Sequence, residues 1–130
     1  MTLPLTFSGR TIAGARRGRT MGYPTVNLEL ADVPLELQEG IYACFAIPED
    51  GPRLPAAMHY GPRPVFKAGV ACEVHCIDVL LDALPATLKV EVIERLRDIE
   101  DFPSPEQLSR KITDDVERAR AILHKQCSAL

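Results

Sequence analysis

The hydrophobic positions of this chain change period once, near residue 100. Up to Arg95 the apolar residues come in short runs or alternate with polar ones; beyond Ser104 they recur at helical spacing. Leu3 to Phe7 alternates weakly and reads as a first strand. Tyr23 to Leu30 reads as a second, opening near Pro24, a residue tolerated at the start or edge of a strand but not deep in a sheet. Gly40 to Pro48, GIYACFAIP, is almost wholly apolar and predicts a buried strand. Glu49-Asp50-Gly51-Pro52 has the composition of a turn. Leu54 to Tyr60 is the next strand, ended by the rigid Gly61-Pro62-Arg63-Pro64. Val70 to Leu81 predicts a long strand with polar residues set into it, and Thr87 to Arg95 alternates with period two, as a half-buried strand does.

After Ser104 the signals are those of a helix. Ser104 is placed to cap, Pro105 takes the first helical position and Gln107 follows three residues after the serine. Leu108, Ile112, Val116, Ala119 and Leu123 then mark one face. Strands followed by one amphipathic helix predict a mainly β fold, a closed or nearly closed antiparallel barrel of about six strands with the helix packed on it. Closure also removes exposed strand edges. The barrel is expected over about residues 3–96 and the helix over about 104–126, together one domain across 1–130.

Composition narrows the function classes. A chain of 130 residues holds a core without staples. The net charge of −3 sets up no general field for nucleic acid or an anionic membrane. Three Tyr and four Phe, with no aromatic ladder on the strands, further argue against a nucleic-acid reader. No apolar run reaches the roughly 18 residues that span a bilayer, and MTLPLTFSGR lacks the basic and apolar regions of a secretory signal. Cys44, Cys72, Cys76 and Cys127 show no paired spacing, so reduced thiols and a cytoplasmic setting are expected. No obligate protein partner is evident.

Against that acidic background, Gly14 to Leu28 (GARRGRTMGYPTVNL) is locally basic and rich in glycine. Gly14, Gly18 and Gly22, with Arg16, Arg17 and Arg19, suit a turn whose backbone N–H groups cradle an anion while arginines add charge-assisted hydrogen bonds. Thr25 and Asn27 are two apart and share one face of a strand. Their hydroxyl and amide oxygens suit Mg²⁺, which takes few protein ligands and fills its shell with water and phosphate. The plainer alternative is a hairpin turn and an ordinary edge strand.

A second constellation is Cys72-Glu73-Val74-His75-Cys76-Ile77-Asp78. Glu73, His75 and Ile77 share one strand face; Val74, Cys76 and Asp78 share the other. A carboxylate on such a strand needs a partner or a cavity, and beside a nucleotide site it can serve as general base on a substrate hydroxyl. The alternative for Glu73 is a solvated position on the barrel exterior. Cys72, His75 and Cys76 give no standard zinc spacing. His59 is read as the end of a strand in preference to the wall of a pocket, His75 as packed or on the surface and His124 as solvated. Arg63, between two prolines, is placed to meet a phosphate, or is a surface charge.

Taken in order, these segments resemble riboflavin kinase, the flavokinase domain found as the C-terminal half of bacterial bifunctional riboflavin kinase/FAD synthetases. The resemblance is colinear from about Phe7 to Leu123. It is carried by Gly18-Arg19-Thr20-Met21-Gly22-Tyr23-Pro24-Thr25-Val26-Asn27, by Gly61-Pro62-Arg63-Pro64-Val65-Phe66, by Glu73-Val74-His75-Cys76-Ile77-Asp78 and by Leu96 to Phe102. It implies a Greek-key barrel that transfers the ATP γ-phosphate to the ribityl 5′-hydroxyl of riboflavin, giving FMN and ADP. Residue by residue, Thr25 and Asn27 would hold Mg²⁺ and the nucleotide phosphates, and Glu73 would be the base. Gly14, Gly18, Arg19 and Gly22 would form the phosphate-covering flap, and Arg97 and Phe102 would help hold the flavin.

The chain departs from the family pattern at His59-Tyr60, at Val65 and at the Asp82 to Ala86 loop with Pro85. A non-catalytic flavin- or nucleotide-binding module is the alternative those departures keep open. Nothing here resembles an adenylyltransferase signature, so FAD synthesis is not expected of these residues alone.

Overall fold

The protein is described from a computed structural model, which describes residues 2–12, 25–49, 51–62, 69–77 and 84–128. Six strands form a closed barrel: β1 (Leu5–Ile12), β2 (Val26–Leu28), β3 (Gly40–Pro48), β4 (Leu54–Pro62), β5 (Val70–Cys76) and β6 (Thr87–Arg97). The order around the barrel is β1-β2-β5-β4-β3-β6, and every neighbouring pair is antiparallel. β3, β4 and β5 run as a meander and β6 returns beside β3, which is a Greek key. Helix α1 (Pro105–Ser128) packs against β3, β4 and β6.

The alternation of side chains along each strand builds two cores. Phe7, Val26, Leu28, Tyr42, Cys44, Met58, Cys72, Val74, Leu88, Val90 and Val92 point inward and fill the barrel. The interior is therefore packed core. Ile41, Ala43, Phe45, Ala57, Ile77 and Leu96 face outward and meet Val116, Ala119 and Leu123 of α1. The stripe expected on α1 is the one buried. Leu108, Val116, Ala119 and Leu123 are buried and Ile112 is half-buried. Ser104 Oγ accepts the Gln107 N–H at 3.3 Å, so the serine caps as its position suggested.

Every strand but β3 differs in extent from the sequence reading, and β4 runs on past Tyr60 to Pro62. β1 starts at Leu5 and continues through Ser8-Gly9-Arg10 to Ile12. That polar stretch is held by pairing with β6, and Gly9 is buried against Leu28, where an added Cβ would meet Leu28 Cδ1 at 3.4 Å. β2 stops at Leu28, because the chain turns into a 3-10 turn at Leu30–Asp32. There the Asp32 carboxylate accepts the Arg10 backbone N–H at 2.8 Å and the Arg10 Nε–H at 3.0 Å. β6 runs on to Arg97 because its pairing with β3 shifts register twice, between Ile41 and Tyr42 and between Ala43 and Cys44, and ends on Ile41 opposite Arg97. β5 ends at Cys76, with Ile77 in a turn; residues 78–81 of the expected strand lie outside the described residues.

Candidate active site on the outer face of the barrel

Register brings together side chains that are far apart in sequence. Asn27 on β2 pairs with Glu73 on β5, Glu73 pairs with His59 on β4, His59 with Ile41 on β3, and Ile41 with Arg97 on β6. Directly paired residues point to the same face, with Cβ atoms about 4.5–5.5 Å apart. The neighbours of these residues (Val26, Leu28, Cys72, Val74 and Met58) fill the barrel, so the row itself lies outside. An amide, a carboxylate, an imidazole and a guanidinium thus cross five adjacent strands, with one isoleucine between the last two.

Asn27 is buried, Glu73 is half-buried, and half-buried Thr25 lies just before β2, two residues from Asn27. Glu73 is on the barrel exterior, yet it is not a freely solvated carboxylate; it stands between Asn27 and His59. His75 shares its face and is buried, while Cys72 and Cys76 point into the barrel. The strand therefore keeps the two thiols and His75 on opposite sides. No group of three or more His, Cys, Asp or Glu side chains converges as a metal site among the described residues. Neutral oxygens at Thr25 and Asn27 nevertheless have the chemistry for a hard cation that takes its other ligands from phosphate and water.

His59 Nε2 lies 3.1 Å from the Gly61 carbonyl oxygen and 3.0 Å from that of Pro62. Carbonyls only accept, so Nε2 carries the hydrogen and donates to both. Burial holds the His59 pKa below its ordinary value; the Glu73 carboxylate opposes that shift and Arg97 reinforces it.

Arg97 is tied down on several sides. Its Nε donates to Asp115 at 3.0 Å and its Nη2 to Asp115 at 2.8 Å, while Nη1 donates to the Asp98 carbonyl at 2.9 Å. Glu100 lies 3.7 Å from Nη1. The pair is nearly sheltered from solvent, with side chains 11% and 5% exposed. The Arg97 guanidinium also lies 5.8 Å from the centre of the Phe102 ring, so the two residues expected near a flavin are neighbours. Ile99, between them in sequence, covers Gly61, which has φ +143.

Two members of this region were not picked out by sequence reasoning. His59 read as a strand end in preference to a pocket wall, since nothing local reveals that it faces Glu73. Asp115 carried a usable signal: it follows Ile112 by three positions and precedes Ala119 by four, which sets a carboxylate on the buried stripe. Gly14, Gly18, Arg19 and Gly22, with Arg63 and Val65, lie outside the described residues.

A closed antiparallel barrel with one helix packed against it and a polar row on its outer face defines the class of small barrel protein seen here. The chain belongs to the riboflavin kinase family: the family model for flavokinase (riboflavin kinase) matches residues 1–123. It is 33% identical over 123 residues to the bifunctional riboflavin kinase/FMN adenylyltransferase of Escherichia coli, covering 90% of this chain and 37% of that protein. A crystal structure described as a macrolide-efflux protein from Streptococcus pneumoniae superposes with a TM-score of 0.76 at 32% identity, over 90% of this chain and 38% of that one. Riboflavin kinase from Trypanosoma brucei shares the fold, with a TM-score of 0.61 at 18% identity, over 92% of this chain and 80% of that one. The chain spans well under half the length of the curated relatives it matches.

Proposed function

We propose that this chain phosphorylates riboflavin at the ribityl 5′-hydroxyl, consuming ATP and releasing FMN and ADP. One observation carries the reading: the register that sets Glu73 beside Asn27 on the outer barrel wall, within a chain of the riboflavin kinase family. Phosphoryl transfer asks a protein mainly to position the groups and neutralise charge, with one base to orient the nucleophile. Glu73 accepts the hydroxyl proton as the ribityl oxygen bonds to the γ-phosphorus; the bond from that phosphorus to the bridging oxygen breaks and ADP leaves with the electron pair.

Thr25 and Asn27 would hold Mg²⁺ through their side-chain oxygens. When bound, the cation neutralises phosphate charge. The glycine-arginine segment with Gly14, Gly18, Arg19 and Gly22 would cover the phosphates and exclude water. Phe102 would offer a ring face to the flavin, with Arg97 acting through it, since that guanidinium is engaged by Asp115, Asp98 and Glu100. On the same reading residues 1–130 work as one domain in the cytoplasm, with riboflavin and ATP as ligands.

The test is incubation of the purified chain with riboflavin, ATP and Mg²⁺, with flavins separated chromatographically. FMN should form with Mg²⁺ and not after chelation. Riboflavin that stays unphosphorylated under saturating ATP and Mg²⁺ would contradict the proposal.

A further inference from the structure

His59 stands at the junction of three parts of the site. Its ring faces Glu73 on one side and Ile41 on the other. Its Nε2–H is shared between the carbonyls of Gly61 and Pro62, the last two residues of β4, from which the chain continues toward Arg63. Gly61 in turn lies under Ile99, on the loop that carries Phe102. A backbone leaving a strand has many directions open to it. Two hydrogen bonds from one half-buried ring select one of them, and they do so from the position directly across from the carboxylate.

We propose that His59 is a positioning residue of the riboflavin-phosphorylating site, its Nε2–H clamping the Gly61-Pro62 corner while its ring forms the wall beside Glu73. This rests on the kinase reading for its effect on rate, and on geometry alone for the clamp. The ring is neutral at neutral pH, because burial outweighs the attraction of Glu73. Protonation would place an imidazolium against that carboxylate and draw it into an ion pair, so activity falls on the acid side. Among the described residues, the charged groups facing this ring are Glu73 from β5 and Arg97 from β6, the latter already paired with Asp115 of α1. β3 presents the uncharged Ile41. Asn27 lies on the far side of Glu73.

His59→Leu keeps apolar bulk and removes the donor; His59→Gln keeps an N–H donor and does not titrate. In the full chain, His59→Leu should lower kcat roughly tenfold or more, as small misplacements do, with smaller changes in KM for riboflavin and ATP. His59→Gln should recover most of that loss and flatten the acid limb of the pH profile. A His59→Leu enzyme with the parent's kcat and pH profile overturns the proposal. Imidazole ¹⁵N NMR reads the clamp independently of turnover: the Nε2–H tautomer is expected at neutral pH, and Glu73→Gln should lower the His59 titration midpoint. An Nδ1–H tautomer, or a midpoint that Glu73→Gln leaves in place, overturns it. A parent chain that makes no FMN while showing the expected NMR behaviour would remove the kinase reading and leave the clamp standing.

Discussion

At Gly61 the backbone takes φ +143, and an added Cβ would come 3.0 Å from Ile99 Cγ1 and 3.3 Å from Glu39 Cβ. Side chains other than glycine's strain in that region. Gly61→Ala should therefore cost about 1–3 kcal/mol in backbone strain, seen as a lower urea midpoint at unchanged slope. It should also disturb the corner that His59 holds. Some of the site was legible one residue at a time. Thr25 and Asn27 could be paired by spacing, and Glu73 stood out as a carboxylate on an apolar strand. What no spacing reveals is which strands become neighbours. Asn27, His59 and Glu73 lie far apart along the chain and meet only because β5 lies between β2 and β4. For the same reason His59 read as a strand end.

Among the elements, α1 is joined to the barrel by a sheltered ion pair as well as by its apolar stripe. Removing one member of such a pair strands the other charge out of water, which costs about 3–5 kcal/mol, whereas apolar replacement of both is often close to neutral. Arg97→Met should lower stability by about that amount in urea unfolding, and Arg97→Met/Asp115→Leu should recover most of it. Equal losses in the single and double variants would show that the guanidinium does not anchor the helix. The elements themselves followed from local pattern where that pattern was strong. Gly40–Pro48 has the bounds its apolar run suggested, and α1 starts at Pro105 behind its capping serine. Pattern failed at Ser8-Gly9-Arg10 and at Leu96-Arg97. There, polar residues are held in strands by hydrogen bonding to neighbours rather than by alternation of their own.

Over the whole molecule, closure turns one face of every strand into a dry interior, and Cys44 and Cys72 are buried within it. Burial raises the Cys44 thiol well above its usual range and pushes Cys72 up to about 12 from 9.0. A raised folded-state pKa gives stability that is complete below the unfolded value and lost as pH climbs toward the folded one. The urea midpoint should hold up to about pH 8 and decline through the window from 9 to about 12. Cys72→Ala should shallow that decline; a midpoint flat to pH 11 would contradict the burial argument. A closed or nearly closed barrel was readable from six strand-like segments and one helix, but the outer position of the row from Asn27 to Arg97 was not. The core strand bearing Glu73 suggested a cavity, with a solvated exterior position as the alternative, whereas the barrel is filled and the carboxylate lies half-buried on its outer face.

The claim on which the rest depends is that the outer row carries the chemistry, with Glu73 as the base. Steady-state FMN formation by the parent and by Glu73→Gln, at saturating riboflavin, ATP and Mg²⁺, tests it most directly. The amide keeps the shape and cannot take the proton. Glu73→Gln should lose about 10²–10⁴-fold in kcat while riboflavin and nucleotide still bind and the urea midpoint stays near the parent's. A Glu73→Gln enzyme as fast as the parent would contradict the account and place the base elsewhere.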